Sequence, residues 1–237
     1  MKLYNETIKE TLDYLEGFSS KALDYMSRNW DSAGDHNLVL KCDMAYELGG
    51  GTHDAVSGVA ITSDSDFVSK DEVLLIGPDL SEINEDTSYA RIAIVRASDD
   101  SLGDGNKLYN AIRKIEYVRY HVTPEGYMTR ISASNGREPV RVSRDAIERG
   151  ISFSDIGNHF ISQYHENPNV EAVKLIFITD PSVDYNFLKK LSTKCESITG
   201  TIDHIMKNVI MDCNACSLKP VCDEVEGLKE LHFANKL

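Results

Sequence analysis

Apolar positions along this chain fall into two periods, about 3.6 and 2 residues, and the switches between them mark out its elements. Ile8, Leu12, Leu15, Phe18 and Leu23 recur at helical intervals among charged residues, which predicts an amphipathic helix from Tyr4 to about Arg28. Asp31-Ser-Ala-Gly-Asp35 should break it. Leu38 to Tyr46 alternates like a strand and runs into Glu47-Leu-Gly-Gly-Gly51, where glycines permit a sharp turn. Gly58-Val-Ala-Ile-Thr62, Val73-Leu-Leu-Ile-Gly77 and Ile92-Ala-Ile-Val95 are short apolar runs bounded by polar or turn residues, and so read as buried strands of one sheet.

Ser98-Asp-Asp-Ser-Leu-Gly-Asp-Gly105 reads as a polar loop, after which Leu108, Ile112, Ile115 and Val118 give a second helix. Tyr127 to Ala133 has the look of a strand. Ser143 and Ser152 or Ser154 can cap helices through Asp145 to Arg149 and Ile156 to His165, with Pro168 ending the latter. Val170 to Ile178 is the most apolar strand, and Asp180-Pro-Ser-Val-Asp184 leads from it into a long helix from about Tyr185 to Met206.

Adjacent strands early and helices late favour an α+β fold, a mixed sheet packed with helices, over a strictly alternating parallel sheet. No internal repeat or low-complexity linker interrupts the chain. The expected organisation is a helical N-terminal extension over 1–36, an α+β domain over 37–208 and a cysteine-rich segment over 209–237. The 237 residues are ample for a sizeable core, and the 41% hydrophobic, 8% aromatic composition is that of a globular chain.

Lys and Arg total 25 against 38 Asp and Glu, a formal charge of -13, which disfavours nucleic acid and anionic membrane surfaces as partners. No stretch approaches the roughly 20 apolar residues of a membrane span, and the first ten residues lack the apolar centre of a signal peptide. The expectation is a cytoplasmic protein.

Five cysteines is an odd number, and three of them fall within ten residues, which suits a metal site in a reducing compartment better than a disulfide framework. Asp212-Cys-Asn-Ala-Cys-Ser-Leu-Lys-Pro-Val-Cys222 spaces its thiols as C-x2-C-x5-C, so that Cys213 and Cys216 can reach one metal within a single turn and Cys222 can join them. Thiolates are soft ligands, and the choice lies between an iron-sulfur cluster, [4Fe-4S] by preference, and zinc. Three sulfurs are one short of a closed site. Cys195, on the helix leading into the motif, is the favoured fourth ligand, with Cys42, His204, His232 or an exogenous group as alternatives. The plain reading of Cys42 and Cys195 is a small buried apolar side chain, and that of all three motif cysteines is reduced thiols without metal.

Tyr46-Glu-Leu-Gly-Gly50, Leu75-Ile-Gly-Pro-Asp-Leu80, Val170-Glu-Ala-Val-Lys-Leu-Ile-Phe-Ile-Thr179 and the closing Asp212-Cys213-Asn-Ala-Cys216, in this order and spacing, resemble the acetyl-CoA synthase (beta) subunit of the carbon monoxide dehydrogenase/acetyl-CoA synthase family over roughly residues 40 to 222. The resemblance implies a four-iron cluster bridged to a two-nickel site, where a methyl group from a corrinoid protein and carbon monoxide combine and pass to coenzyme A. In this sequence Cys222 comes earlier than the family's third cysteine, no fourth follows, and the Cys-Gly-Cys segment that would hold the distal nickel is absent. A complete nickel-dependent synthase is therefore not expected from this chain alone.

Three functions fit these residues. The first is a metal-cluster subunit of anaerobic one-carbon or carbon monoxide metabolism, transferring electrons or completing a site with another chain. The second is a structural zinc module pinning the C-terminal segment. The third is a domain without metal that docks a corrinoid protein, a methyltransferase or another subunit of such a complex.

Gly49-Gly-Gly51 could cradle an anion or simply make a tight turn, and Gly103-Asp-Gly105 is not a dinucleotide fingerprint. His159 and His165, six apart, do not share a helix face as a metal pair would. Arg137, Arg141, Arg144 and Arg149 read as a salt-bridging face, or alternatively as an anion site.

Overall fold

The computed structural model describes residues 2–27, 29–34, 38–102, 105–129, 139–206 and 218–225. In chain order the elements are α1 (Asn5–Leu15), β1 (Lys21–Ala22), β2 (Met44–Leu48), β3 (Val56–Thr62), β4 (Glu72–Ile76), β5 (Ala90–Ala97), α2 (Asp99–Leu102), α3 (Gly105–Val118), β6 (Tyr127–Thr129), β7 (Val140–Ser143), α4 (Arg144–Glu148), α5 (Phe153–His165), β8 (Val170–Ile178), α6 (Tyr185–Met206) and α7 (Lys219–Glu224). The fold is α+β. A five-stranded mixed sheet runs β1-β4-β8-β5-β3, and a three-stranded antiparallel sheet runs β2-β7-β6.

The most apolar run of the sequence, β8, takes the centre of the large sheet, parallel to β4 and antiparallel to β5, with Ala172, Val173, Leu175, Ile176, Phe177 and Ile178 all buried. Burial on both faces is what a near-continuous apolar strand requires. Helix α5 packs on β8 and β4, and Phe153 stacks on Phe177 at 4.5 Å between ring centroids. The approach is close because Gly157 of α5 has no side chain: a Cβ there would lie 2.8 Å from Val73. Ser152 caps α5 in a reciprocal box with Asp155, and Ser143 caps α4, both as the sequence indicates.

The small sheet joins the large one through polar pins. Leu48 bridges Thr87, the Tyr46 hydroxyl donates to the Leu80 carbonyl at 2.6 Å, and the hydroxyls of Tyr89 and Tyr127 meet at 2.7 Å. Residues of both sheets, of α1 and of α6 belong to one hydrophobic cluster.

Several elements differ from the sequence reading. The first helix stops at Leu15, because Gly17, Ser19 and Ser20 weaken it and the chain gains ladder bonds instead: Lys21 and Ala22 pair with Leu75 and Leu74 of β4. The residues expected as an N-terminal extension contribute Leu3, Tyr4, Ile8, Leu15 and Leu23 to the common cluster. The strand expected from Leu38 begins only at Met44, after a turn at residues 41–43. The loop after Ser98 contains the short helix α2, and β7, which the reading passed over, pairs with both β2 and β6. The expected strand from Tyr127 is present to Thr129, and the remainder of that run lies outside the described residues.

Strand β3 forms an edge of the large sheet, yet all seven of its residues are buried. Helices α6 and α1 cover it, and side chains meet the backbone carbonyl of Ser57. The Ser57 carbonyl accepts from Ser192 Oγ of α6 at 2.8 Å and from Arg119 Nη2. Arg119, just past α3, also donates to Glu196 of α6 at 2.6 Å and faces Glu116 at 3.9 Å. Arg91 of β5 donates to the Ser57 hydroxyl at 2.9 Å and to the Arg119 carbonyl at 2.6 Å, with the Phe160 ring 4.2 Å from its guanidinium carbon. Burial lifts the Glu116 carboxyl above the usual range, against the lowering influence of Arg119.

Two glycines are fixed by close approach. Gly49, at φ +82°, would place a Cβ 2.4 Å from Ala55, and Gly77, at φ +105°, would place one 2.4 Å from the Asp180 nitrogen. Gly77 thereby brings the ends of the parallel strands β4 and β8 together, sealed by bonds from the Thr179 and Asp180 nitrogens to the Ile76 carbonyl at 2.9 and 3.2 Å.

Replacing Arg119 by Leu is expected to lower the unfolding free energy by about 2–4 kcal/mol, because the Ser57 carbonyl and the half-buried Glu116 lose a charged partner at once. Glu196→Gln, at a half-exposed carboxylate, should cost less than about 1 kcal/mol. Urea unfolding of the two variants checks the order. Gly77→Ala should cost about 2 kcal/mol or more in the same assay, because φ is positive and backbone stands where the methyl would go.

Candidate metal-binding segment

Helix α6 delivers the chain to its cysteine motif. Asp184 starts it, its carboxylate accepting from the Asn186 and Phe187 nitrogens at 3.0 and 3.1 Å. Leu188, Leu191, Cys195, Ile198, Ile202 and Ile205 then recur at helical spacing as a buried stripe. Cys213 and Cys216 lie outside the described residues, as does His232. Cys222 lies on α7, half-buried, where that short helix packs against α6. Its charged neighbours Lys219, Asp223 and Glu224 are exposed.

The other ligand candidates are dispersed. Cys195 is 6% exposed within the core cluster, near Tyr4, Glu116 and Glu196, and its thiol is pushed up to about 12 by burial, with the two carboxylates adding to the effect. A neutral thiol in this position serves packing, the plainer of its two sequence readings. Cys42 is exposed in the turn before β2, so the expectation of a buried apolar side chain does not hold there. His204 is half-buried in the last turn of α6, just ahead of the motif. Among the described residues no three His, Cys, Asp or Glu side chains converge as a metal-binding group. The donor chemistry nonetheless fits a soft metal, since three thiols lie within ten residues and the described one, Cys222, stays accessible at a helix margin.

The remaining candidates fall into structural roles. Gly49 and Gly51 pack backbone against backbone at Ala55 and Thr87, so the glycine run is a tight turn. His159 Nε2 lies 2.8 Å from the Trp30 carbonyl, and His165 Nε2 lies 2.8 Å from Asp71, which places the two on different partners. Arg141 pairs with Glu47 at 3.2 Å, and Arg149 pairs with Glu125 and Asp145 while facing the Trp30 ring at 4.7 Å. Arg144 donates its backbone N–H to Asp43, and Arg137 lies outside the described residues. Arg141 and Arg149 thus act in salt bridges.

Sequence reading missed the buried polar cluster around Arg91, Arg119, Tyr89 and Tyr127. The signal available was Arg91 standing directly before the apolar run Ile92 to Val95, where an unpaired charge would be untenable. It also missed a cavity of about 260 Å³ between α3 and α6, lined by Arg113, Glu116, Glu196, Thr199, Gly200 and Asp203 among others.

The family model for the CO dehydrogenase/acetyl-CoA synthase complex beta subunit matches residues 31–183. This match takes in both sheets from β2 onward and ends just before α6. The acetyl-CoA decarbonylase/synthase complex subunit beta of Archaeoglobus fulgidus is 28% identical over 158 residues, covering 65% of this chain. The chain spans 29% of the length of that relative. With more than half of its residues inside the family model, the chain belongs to the CO dehydrogenase/acetyl-CoA synthase complex beta subunit family.

Proposed function

We propose that this chain is an acetyl-CoA synthase-like metal protein of anaerobic one-carbon and carbon monoxide metabolism, acting as an electron-transfer or accessory subunit rather than as a complete synthase. One observation carries the reading: a family-matched domain feeds directly through α6 into a C-x2-C-x5-C segment. Cys213, Cys216 and Cys222 would hold the metal, a [4Fe-4S] cluster by preference. Such a cluster, when bound, supplies single-electron exchange. The chain's own part is to present three thiolates and to leave the fourth position to a residue of this chain or to a partner.

The Archaeoglobus fulgidus relative is named as a subunit of a complex, which supports other subunits as partners. A corrinoid protein, a methyltransferase or a further subunit of a one-carbon complex would suit the family. No described helix is long and apolar enough to cross a membrane. The surplus of acidic residues argues against nucleic acid as a partner, and we place the protein in the cytoplasm.

His204 favours a second reading. A half-buried imidazole in the last turn of α6, with three thiolates following, would complete a Cys3His zinc site that stabilises the segment and does no redox chemistry.

Metal analysis of protein purified without air separates the two. The expected result is a brown protein containing iron and acid-labile sulfide, bleached by oxygen. Stoichiometric zinc in a colourless protein would establish the second reading, and the absence of both metals would leave a docking domain. In that last case replacing Cys213, Cys216 and Cys222 together by Ser should leave partner binding intact.

Cys195→Ser addresses the fourth ligand. Because the thiol is buried among core side chains, the expected outcome is unchanged iron and sulfide content, as for a cluster held by three thiolates of this chain. Loss of iron in this variant would show instead that the core opens to bring Cys195 to the metal, and loss only in Cys42→Ser would transfer that role to Cys42.

A further inference from the structure

Helices α3 and α6 pack side by side, yet the faces lining the space between them are largely polar. Tyr109, Ile112, Arg113 and Glu116 recur on α3 at i, i+3, i+4 and i+7, and Glu196, Thr199, Gly200 and Asp203 recur on α6 in the same pattern. Residues so spaced share one side of a helix. A packed helix face ordinarily carries an apolar stripe, and where these two lack one a cavity of about 260 Å³ remains. Ile112 and Ile202, both buried, give it an apolar wall. Gly200 keeps it open, since a Cβ there would meet nothing within 4 Å. Glycine inside a helix is destabilising relative to alanine, and no close approach of a neighbour requires it at this position.

The polar groups leave one carboxyl loosely held. Asp203 accepts from the Tyr109 hydroxyl at 3.0 Å, with Arg113 at 3.7 Å, and Glu196 lies 2.6 Å from Arg119 Nη2. Glu116, half-buried, has the Thr199 hydroxyl at 3.5 Å and Arg119 at 3.9 Å. Both neighbours are engaged more closely elsewhere: Arg119 with the Ser57 carbonyl and Glu196, and the Thr199 hydroxyl with the Cys195 carbonyl at 3.1 Å. A carboxyl drawn out of water without a short hydrogen bond resists ionisation, and burial lifts Glu116 above the usual range despite Arg119. The lining carries three carboxylates against one guanidinium, that of Arg113, in a chain of formal charge -13.

We propose that this cavity binds a small organic cation: a primary ammonium that donates to the Glu116 carboxylate, carried on a short apolar chain lying against Ile112 and Ile202. The volume is just below the roughly 300 Å³ at which pockets for drug-sized molecules begin, so the ligand is small. A metal ion is the wrong occupant, because no three His, Cys, Asp or Glu side chains converge as a metal-binding group among the described residues. An anionic ligand would meet the surplus of negative charge. The cavity draws on no residue of the cysteine motif.

The test titrates the full-length chain calorimetrically with n-butylammonium, and with 1-butanol and butyrate as its neutral and anionic counterparts. The wild type should bind n-butylammonium on the order of tenfold more tightly than 1-butanol, the worth of one hydrogen bond to a charged group, and butyrate more weakly still. Glu116→Gln keeps the shape and removes the charge, and should bring n-butylammonium down to the level of 1-butanol. Gly200→Leu narrows the cavity and should weaken both. Neither substitution should lower the unfolding temperature, since one removes a carboxylate that burial disfavours and the other a glycine inside a helix, so lost binding is not lost folding. A wild type that binds none of the probes would overturn the proposal, as would butyrate binding best. So would n-butylammonium binding both variants as tightly as the wild type, which would place it on the acidic surface instead.

Discussion

The constraint on which this structure most depends is the closure of the β3 edge. An edge strand presents unpaired backbone groups, and burying them without partners costs about 1–3 kcal/mol each. Here the strand is buried along its whole length, so its outward groups must be met by side chains. Ser192 and Arg119 do this at the Ser57 carbonyl, and Arg91 approaches the hydroxyl of the same residue. One serine on β3 therefore ties together β5, the end of α3 and the middle of α6. The packing of α1 follows, because its face rests on α6 and β3, with the Tyr4 hydroxyl 3.0 Å from Thr199 Oγ1.

This arrangement bears on what the family-matched region requires. Residues 31–183 contain both sheets except β1, but not the helices α1 and α6 that cover β3. In this chain the covering comes from segments on either side of the match. The helix that hides the sheet edge is also the helix that leads to the cysteines, so stability of the domain and placement of the motif depend on the same packing surface.

The strands and helices with strong periodicity were legible from sequence, as were the serine caps of α4 and α5. Val170 to Ile178 and Tyr185 to Met206 appear with the limits their patterns indicate, since long apolar runs leave little choice of partner. What periodicity could not show was competition for backbone partners. Phe18 and Leu23 continue the helical spacing of α1, yet the chain after Gly17 pairs with β4, because a vacant sheet edge offered Lys21 and Ala22 ladder bonds. Val140 to Ser143 is too short to stand out, and becomes a strand because β2 and β6 flank it. At the candidate site, spacing identified Cys213, Cys216 and Cys222 as a set, but the depth of Cys195 depends on which stripe of α6 meets the core. The neighbouring helix residues point the same way, since Leu188, Leu191, Ile198 and Ile202 place Cys195 on the buried face.

Helix α6 is also a lever. Its 22 residues span about 33 Å, so a tilt of about 5° at its base would carry the far end some 3 Å sideways. Its base is held where Gly77 draws β4 and β8 together, and its flank is held by Ser192 on the Ser57 carbonyl. With two separate points of attachment, the rod cannot pivot about its first turn alone. The aim of its C-terminal end is thereby referred to the sheet as a rigid frame, and a partner that engages the far end pushes against the whole fold rather than against a hinge.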